Sequence, residues 1–199
     1  MDLRLEGKVA LVTGASKGIG RAIAAAYAES GASVMLSSRK QDSLDAAVAE
    51  IGGDTAAFAA NAGEIDQATA CVEATVERFG SVDILVNNAA ANPYMGPTLG
   101  IDPGAYDKTF QVNLGGPLFW SKVCHERSMA HHGGIIINIA SVGGMTVEPG
   151  IGLYNTTKAA LIHLTQQLAA ELGPEVRVNA IAPGLVKTDM ARALWERHE

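Results

Sequence analysis

Short apolar runs alternate with longer amphipathic stretches almost to the end of the chain. Residues 9–12, 33–37, 55–60, 82–86, 135–139 and 176–181 are four to six residues long and rich in β-branched or aliphatic side chains, which predicts six strands. Between them lie helix-period segments: 19–30 ending at Gly31, 42–51 opened by Asp42 or Ser43 and closed by Gly52 and Gly53, and 64–79 ending at Gly80. A long helix is predicted over about 104–130, another from Tyr154 to Leu172, and a short last one from about Thr188. Strands this short and apolar, separated by helices, pair in parallel with both sheet faces covered. Right-handed crossovers then give an α/β, doubly wound, Rossmann-like sheet. With no internal repeat, low-complexity segment or linker, residues 1–199 read as one domain.

Composition narrows the function classes. A formal net charge of -6 gives no electrostatic footprint for nucleic acid or an anionic membrane surface. The absence of a signal-like start or a membrane-length apolar run leads to the expectation of a soluble, cytoplasmic protein. Cys71 and Cys124 sit far apart in apolar helical patterns and read as buried free thiols. The histidines lack ligand spacing, His131 and His132 reading as a helix end, so no metal site is expected.

Two patterns carry chemistry. Gly14, Gly18 and Gly20 stand between the first strand and the first helix, where backbone N–H groups and the helix dipole favour a pyrophosphate. Tyr154 and Lys158 are four residues apart on one helix face. A free phenol, with a pKa of about 10, is a poor base at neutral pH. A neighbouring ammonium favours phenolate, so Lys158 is expected to lower the pKa of Tyr154.

The order of the glycine turn, Asn87-Asn88-Ala89, Asn113, Ser141, Tyr154/Lys158 and Pro183-Gly184 resembles the short-chain dehydrogenase/reductase family. The glycine spacing is similar to its single-domain reductase branch rather than its epimerase branch. The resemblance implies that Tyr154 is the general acid/base and that Lys158 tunes it and holds the nicotinamide ribose. It further implies that Ser141 polarises the substrate carbonyl and that Asn113 links Lys158 to solvent as a proton relay. Cofactor contacts are implied at Gly14, Ser16, Lys17, Gly18, Ile19, Gly20, Asn87, Ala89, Tyr154, Lys158, Pro183, Gly184, Val186 and Thr188. Asn61 replaces the family's usual aspartate and is expected to face the adenine; Ala90 replaces a usual glycine.

NADP is expected rather than NAD. No carboxylate occupies residues 37–41 to bind ribose hydroxyls, whereas Arg39 and Lys17 offer cations for a 2′-phosphate. The substrate class implied is a small ketone, aldehyde or 3-oxoacyl thioester, with Tyr94, Met95, Met145, Val147 and Leu153 as candidate contacts. The run from Asn87 to Pro93 also resembles carbonyl reductases of the dehydrogenase/reductase member 4 group. Family members usually carry a seventh strand, so the chain is expected to be truncated beyond Glu199, leaving the sixth strand at a sheet edge. The family's association faces imply a homodimer or homotetramer through the helices at 104–130 and 152–172. Two alternatives stay open: a catalytically silent NADP(H)-binding regulator or scaffold of the same fold, and a non-redox enzyme such as an epimerase.

Overall fold

Alternation within the strands decides how the molecule is layered. A computed structural model describes residues 4–189. Its elements run β1 (Val9–Thr13), α1 (Gly18–Glu29), β2 (Ser33–Ser38), α2 (Gln41–Ile51), β3 (Thr55–Ala59), α3 (Ile65–Phe79) and β4 (Ile84–Asn87). They continue α4 (Pro103–Phe110), α5 (Gly116–Cys124), α6 (Ala130–His132), β5 (Gly134–Ile139), α7 (Gly152–Leu172) and β6 (Val176–Ile181). The six strands are all parallel and lie in the order β3-β2-β1-β4-β5-β6. Ala10, Val12, Val34, Leu36, Ile84 and Val86 face α1 and α2, packing on Ala24, Leu44 and Ala47. Their neighbours Leu11, Met35, Leu85 and Ile136 face the other way, onto Val72 of α3 and Trp120 and Val123 of α5. Side chains two apart share a sheet face, so each apolar strand feeds two cores.

Two differences from the sequence reading bear on function. The helix predicted over 104–130 runs on to His132 but is interrupted by wider π-helical turns at Gln111–Gly115 and His125–Met129. The first has a covalent reason. Pro117 has no N–H to donate to the carbonyl four residues back, that of Asn113, and its ring crowds that position. A wider turn just ahead of it relieves both problems. Second, α7 begins at Gly152, so Tyr154 lies within its first turn. The short helix expected from about Thr188 lies, beyond Asp189, outside the described residues. Among the described strands, β6 is at one edge of the sheet.

Candidate active site

The carboxyl ends of the strands gather the predicted residues, as crevices in such sheets do. After β1 the chain turns through Gly14 (φ 65°) and Gly18 (φ 58°), a backbone region that favours glycine. The turn is held from below. The Asn88 amide donates to the carbonyls of Thr13 (2.9 Å) and Gly14 (3.2 Å), and the Thr13 hydroxyl accepts from the N–H groups of Asn88 (3.0 Å) and Ala89 (3.1 Å). A Cβ on Gly14 would stand 2.9 Å from both Ala89 Cα and the Asn88 amide nitrogen. Gly14→Ala is therefore expected to weaken nicotinamide-cofactor binding by at least about tenfold and to lower Tm, read by fluorescence titration and thermal unfolding. Helix α1 starts without a side-chain cap at Lys17, so its first N–H groups face the crevice as a phosphate cradle. These features fit a dinucleotide. Asn88 belongs to the Asn87-Asn88-Ala89 run and Thr13 ends the first strand, but the sequence alone assigns neither of them this role of holding the turn.

Ser16, Gly18, Ile19 and Gly20 lie on this turn and the start of α1. Gly18, Ile19, Val186 and Thr188 line one open cleft of about 490 Å³ between α1 and the segment after β6. Pro183 anchors that segment, its carbonyl accepting from Val142 N–H at 3.1 Å. Gly184 follows it, with open space where a Cβ would point. Ala90 fits without strain, because no described non-glycine residue has positive φ. The Asn87 side chain is committed to the core. Its buried amide donates to Asn138 Oδ1 (2.9 Å) and Ser121 Oγ (3.2 Å), and Asn138 in turn donates to Thr165 Oγ1 on α7 (2.9 Å). The period of β4 signals this, since Asn87 shares a face with Leu85. Asn61 Oδ1 accepts from Gly63 N–H at 3.2 Å, so an adenine amino group would share that oxygen. Arg39 follows β2 and has no ion-pair partner among the described residues, whereas Lys17 Nζ pairs with Asp189 at 3.0 Å.

The second half of the crevice surrounds α7. Ser141 opens a short turn over Val142–Gly144 and its Oγ accepts from Gly143 N–H at 3.1 Å. Tyr154 comes down beside it. Burial pushes the phenol pKa up, and a hydrogen-bonding interaction with Ser141 draws it part of the way back. Lys158 is buried, 2% exposed, with Nζ donating to the Ile139 carbonyl at 2.7 Å and lying 5.6 Å from the Tyr154 ring centre. Burial lowers its ammonium to about 8. In this structure Ser141, rather than Lys158, is the group that lowers the phenol. The ammonium is turned to a backbone carbonyl and itself destabilised by burial.

Asn113 is fully buried and its side chain is committed. Oδ1 accepts from Ala91 N–H (2.7 Å), and Nδ2 donates to Ala91 C=O (2.9 Å) and Thr157 Oγ1 (3.1 Å). Thr157 in turn donates to the Tyr154 carbonyl at 2.7 Å. Asn113 thus ties the Ala91 loop to Thr157 in the second turn of α7, while Pro117 can give its own carbonyl no N–H. Thr157 was missed in the sequence, although its place between Tyr154 and Lys158 was a signal.

Other chemistry is weaker. Cys71 and Cys124 are free and buried; burial raises Cys71 to about 12 and Cys124 further, so neither is a nucleophile. Among the described residues no cluster of His, Cys, Asp and Glu could hold a metal ion, and no helix is long and apolar enough to cross a membrane.

Comparison with known proteins follows the same lines. The model of the short chain dehydrogenase family matches residues 8–199. Human dehydrogenase/reductase SDR family member 4 is 39% identical over 195 residues, covering 96% of this chain and 70% of that protein. The short-chain dehydrogenase/reductase SDRA of Arabidopsis thaliana is 40% identical over 194 residues, covering 94% of this chain and 74% of that one. Among solved structures, a short-chain type dehydrogenase/reductase from Mycobacterium marinum superposes with a TM-score of 0.93 at 33% identity, covering 99% of this chain and 80% of its own.

Proposed function

We propose a function from one premise: the chain belongs to the short-chain dehydrogenase/reductase family of oxidoreductases. It interconverts a small carbonyl compound and its alcohol with NADP(H) as cofactor. The bound nicotinamide supplies or takes up hydride. The observation that carries this reading is the meeting of Ser141, Tyr154 and Lys158 at one end of α7.

The residues divide the work. In reduction Tyr154 gives its proton to the carbonyl oxygen, and a phenol raised by burial is protonated and ready to donate at neutral pH. Ser141 accepts from Gly143 N–H, which leaves its own hydroxyl proton to polarise the substrate oxygen. Lys158 holds the ribose, and its amine returns a proton to Tyr154. The carbonyl of Asn113, to which Pro117 can give no N–H, is the point at which water would connect that amine to solvent. Ketones and aldehydes, as for member-4-like carbonyl reductases, and 3-oxoacyl thioesters are the substrate classes of this reading. Leu118 and Phe119, exposed on α5, support association of copies into a homodimer or homotetramer.

Arg39, with Lys17, supports NADP over NAD. Arg39→Asp is expected to lower catalytic efficiency with NADPH by roughly tenfold or more and to raise it with NADH. An unmoved ratio of the two efficiencies would remove the assignment. Loss of NADPH absorbance across a panel of ketones, aldehydes and 3-oxoacyl thioesters tests the reaction. NADPH binding with no consumption on any of them would favour a silent binder.

A further inference from the structure

Asn155 follows Tyr154 in α7, is 7% exposed, and neither its Oδ1 nor its Nδ2 has a hydrogen-bond partner. A desolvated amide left unpaired is destabilising, and alanine at that position would avoid the penalty. The side chain stands against Gly143. A Cβ added there would collide with Asn155 Oδ1 and come within 2.8 Å of its Cγ, so turning the amide about its last bond would not clear it. One residue on, a Cβ at Gly144 would fall 2.7 Å from the Lys158 carbonyl carbon and 2.8 Å from Ala159 N. The turn that begins at Ser141 is therefore seated on α7 at two points. One is the Asn155 amide; the other is the backbone at Lys158. The seat matters because Gly143 N–H is the group that bonds Ser141 Oγ.

We infer that Asn155 is a positioning residue for Ser141: matched with the bare Gly143, it sets the height of the Ser141 turn over α7 and with it the approach of the Ser141 hydroxyl to Tyr154. The inference deepens the proposed reaction and, for its catalytic half, rests on it. The steric half stands on packing alone. Leu161 and Thr165 continue the buried stripe of α7 below Lys158, so the helix itself has little freedom to move away from an intruding methyl.

Four full-length chains test it: the parent, Asn155→Ala, Gly143→Ala and the double variant. Thermal unfolding, NADPH binding and the pH profile of alcohol oxidation are measured for each. Gly143→Ala is expected to lower Tm and to reduce kcat by about 10²-fold, since an ångström-scale misplacement costs that much. Asn155→Ala is expected to reduce kcat roughly tenfold with NADPH affinity within about twofold. Its rise of rate with pH moves to higher pH, because Ser141 no longer favours the phenolate. In the double variant the vacated space takes up the methyl, so at least about tenfold of the kcat lost in Gly143→Ala and part of its Tm return. If Gly143→Ala yields no folded protein, recovery of folded double variant reads the same coupling. Strictly additive losses in the double variant, or an Asn155→Ala chain with the parent's pH inflection and kcat, overturn the inference. A parent that turns over no carbonyl or alcohol with either nicotinamide defeats the proposed function instead, and the Tm comparison then decides the steric half by itself.

Discussion

Tyr154→Phe is expected to lower kcat for carbonyl reduction by about 10³-fold, within the range usual for removal of a positioned acid. NADPH affinity should stay within about twofold, because the glycine turn, the start of α1 and Arg39 are untouched. The folded state should not suffer either. The phenol is largely buried, and its raised pKa records burial that hydrogen bonding only partly offsets. A phenylalanine ring fills the same space without a hydroxyl to desolvate, so Tm should hold or rise. Ser141→Ala should be milder, about 10-fold to 10²-fold, because the proton donor remains and only the polarising hydroxyl is lost. Single-turnover measurements with excess enzyme would separate the chemical step from product release. A Tyr154→Phe chain within tenfold of the parent in that assay would show that the proton comes from elsewhere, and the proposed reaction would fall.

The parts of this site that could be read from the sequence are those set by local rules. The strand β1, the left-handed glycines at 14 and 18 and the pairing of Tyr154 with Lys158 on one face follow from periods of 2 and 3.6 and from the φ that glycine alone tolerates. Two further facts were within reach of the same rules. Asn87 shares a face with Leu85, which turns its amide into the core. Tyr154, Lys158, Leu161 and Thr165 form one helical stripe, which places the ammonium in the buried row. Other features depend on which distant segments meet. Nothing local announces that Asn113 would bridge Ala91 and Thr157, or that Asn138 would connect Asn87 to Thr165. Pro117 inside a helical pattern signals a defect, but whether the helix kinks, ends or widens depends on what packs around it. The sign of the effect on Tyr154 also lay beyond reach. Spacing alone gives the attraction of an ammonium, while the opposing desolvation exists only once the sheet covers the phenol.

The same burial makes Lys158 a stability liability. Its ammonium falls from the ordinary 10.5 to about 8 on folding, which corresponds to about 3 kcal/mol against the charged form. Below pH 8 both folded and unfolded chains are charged, and the folded chain carries the whole penalty. Between about pH 8 and 10.5 the folded chain releases the proton while the unfolded chain keeps it. The unfolded state then binds more protons, so stability rises with pH across that window. Lys158→Met removes the titrating group but leaves the Ile139 carbonyl without its donor, which returns about 1–2 kcal/mol of the gain. The net expectation at pH 7 is a Tm higher than the parent's by about 2–6 °C, together with a loss of turnover of about 10²-fold or more. Near pH 10 the difference in Tm should shrink toward zero or reverse, because the parent's amine has by then become neutral in the fold. Thermal unfolding of both chains from pH 7 to 10 is the measurement. A methionine variant that is less stable at pH 7, by an amount that does not change with pH, would mean that the ammonium is solvated or paired in the folded chain. In that case a buried amine able to pass a proton to Tyr154 near neutral pH would have no physical basis.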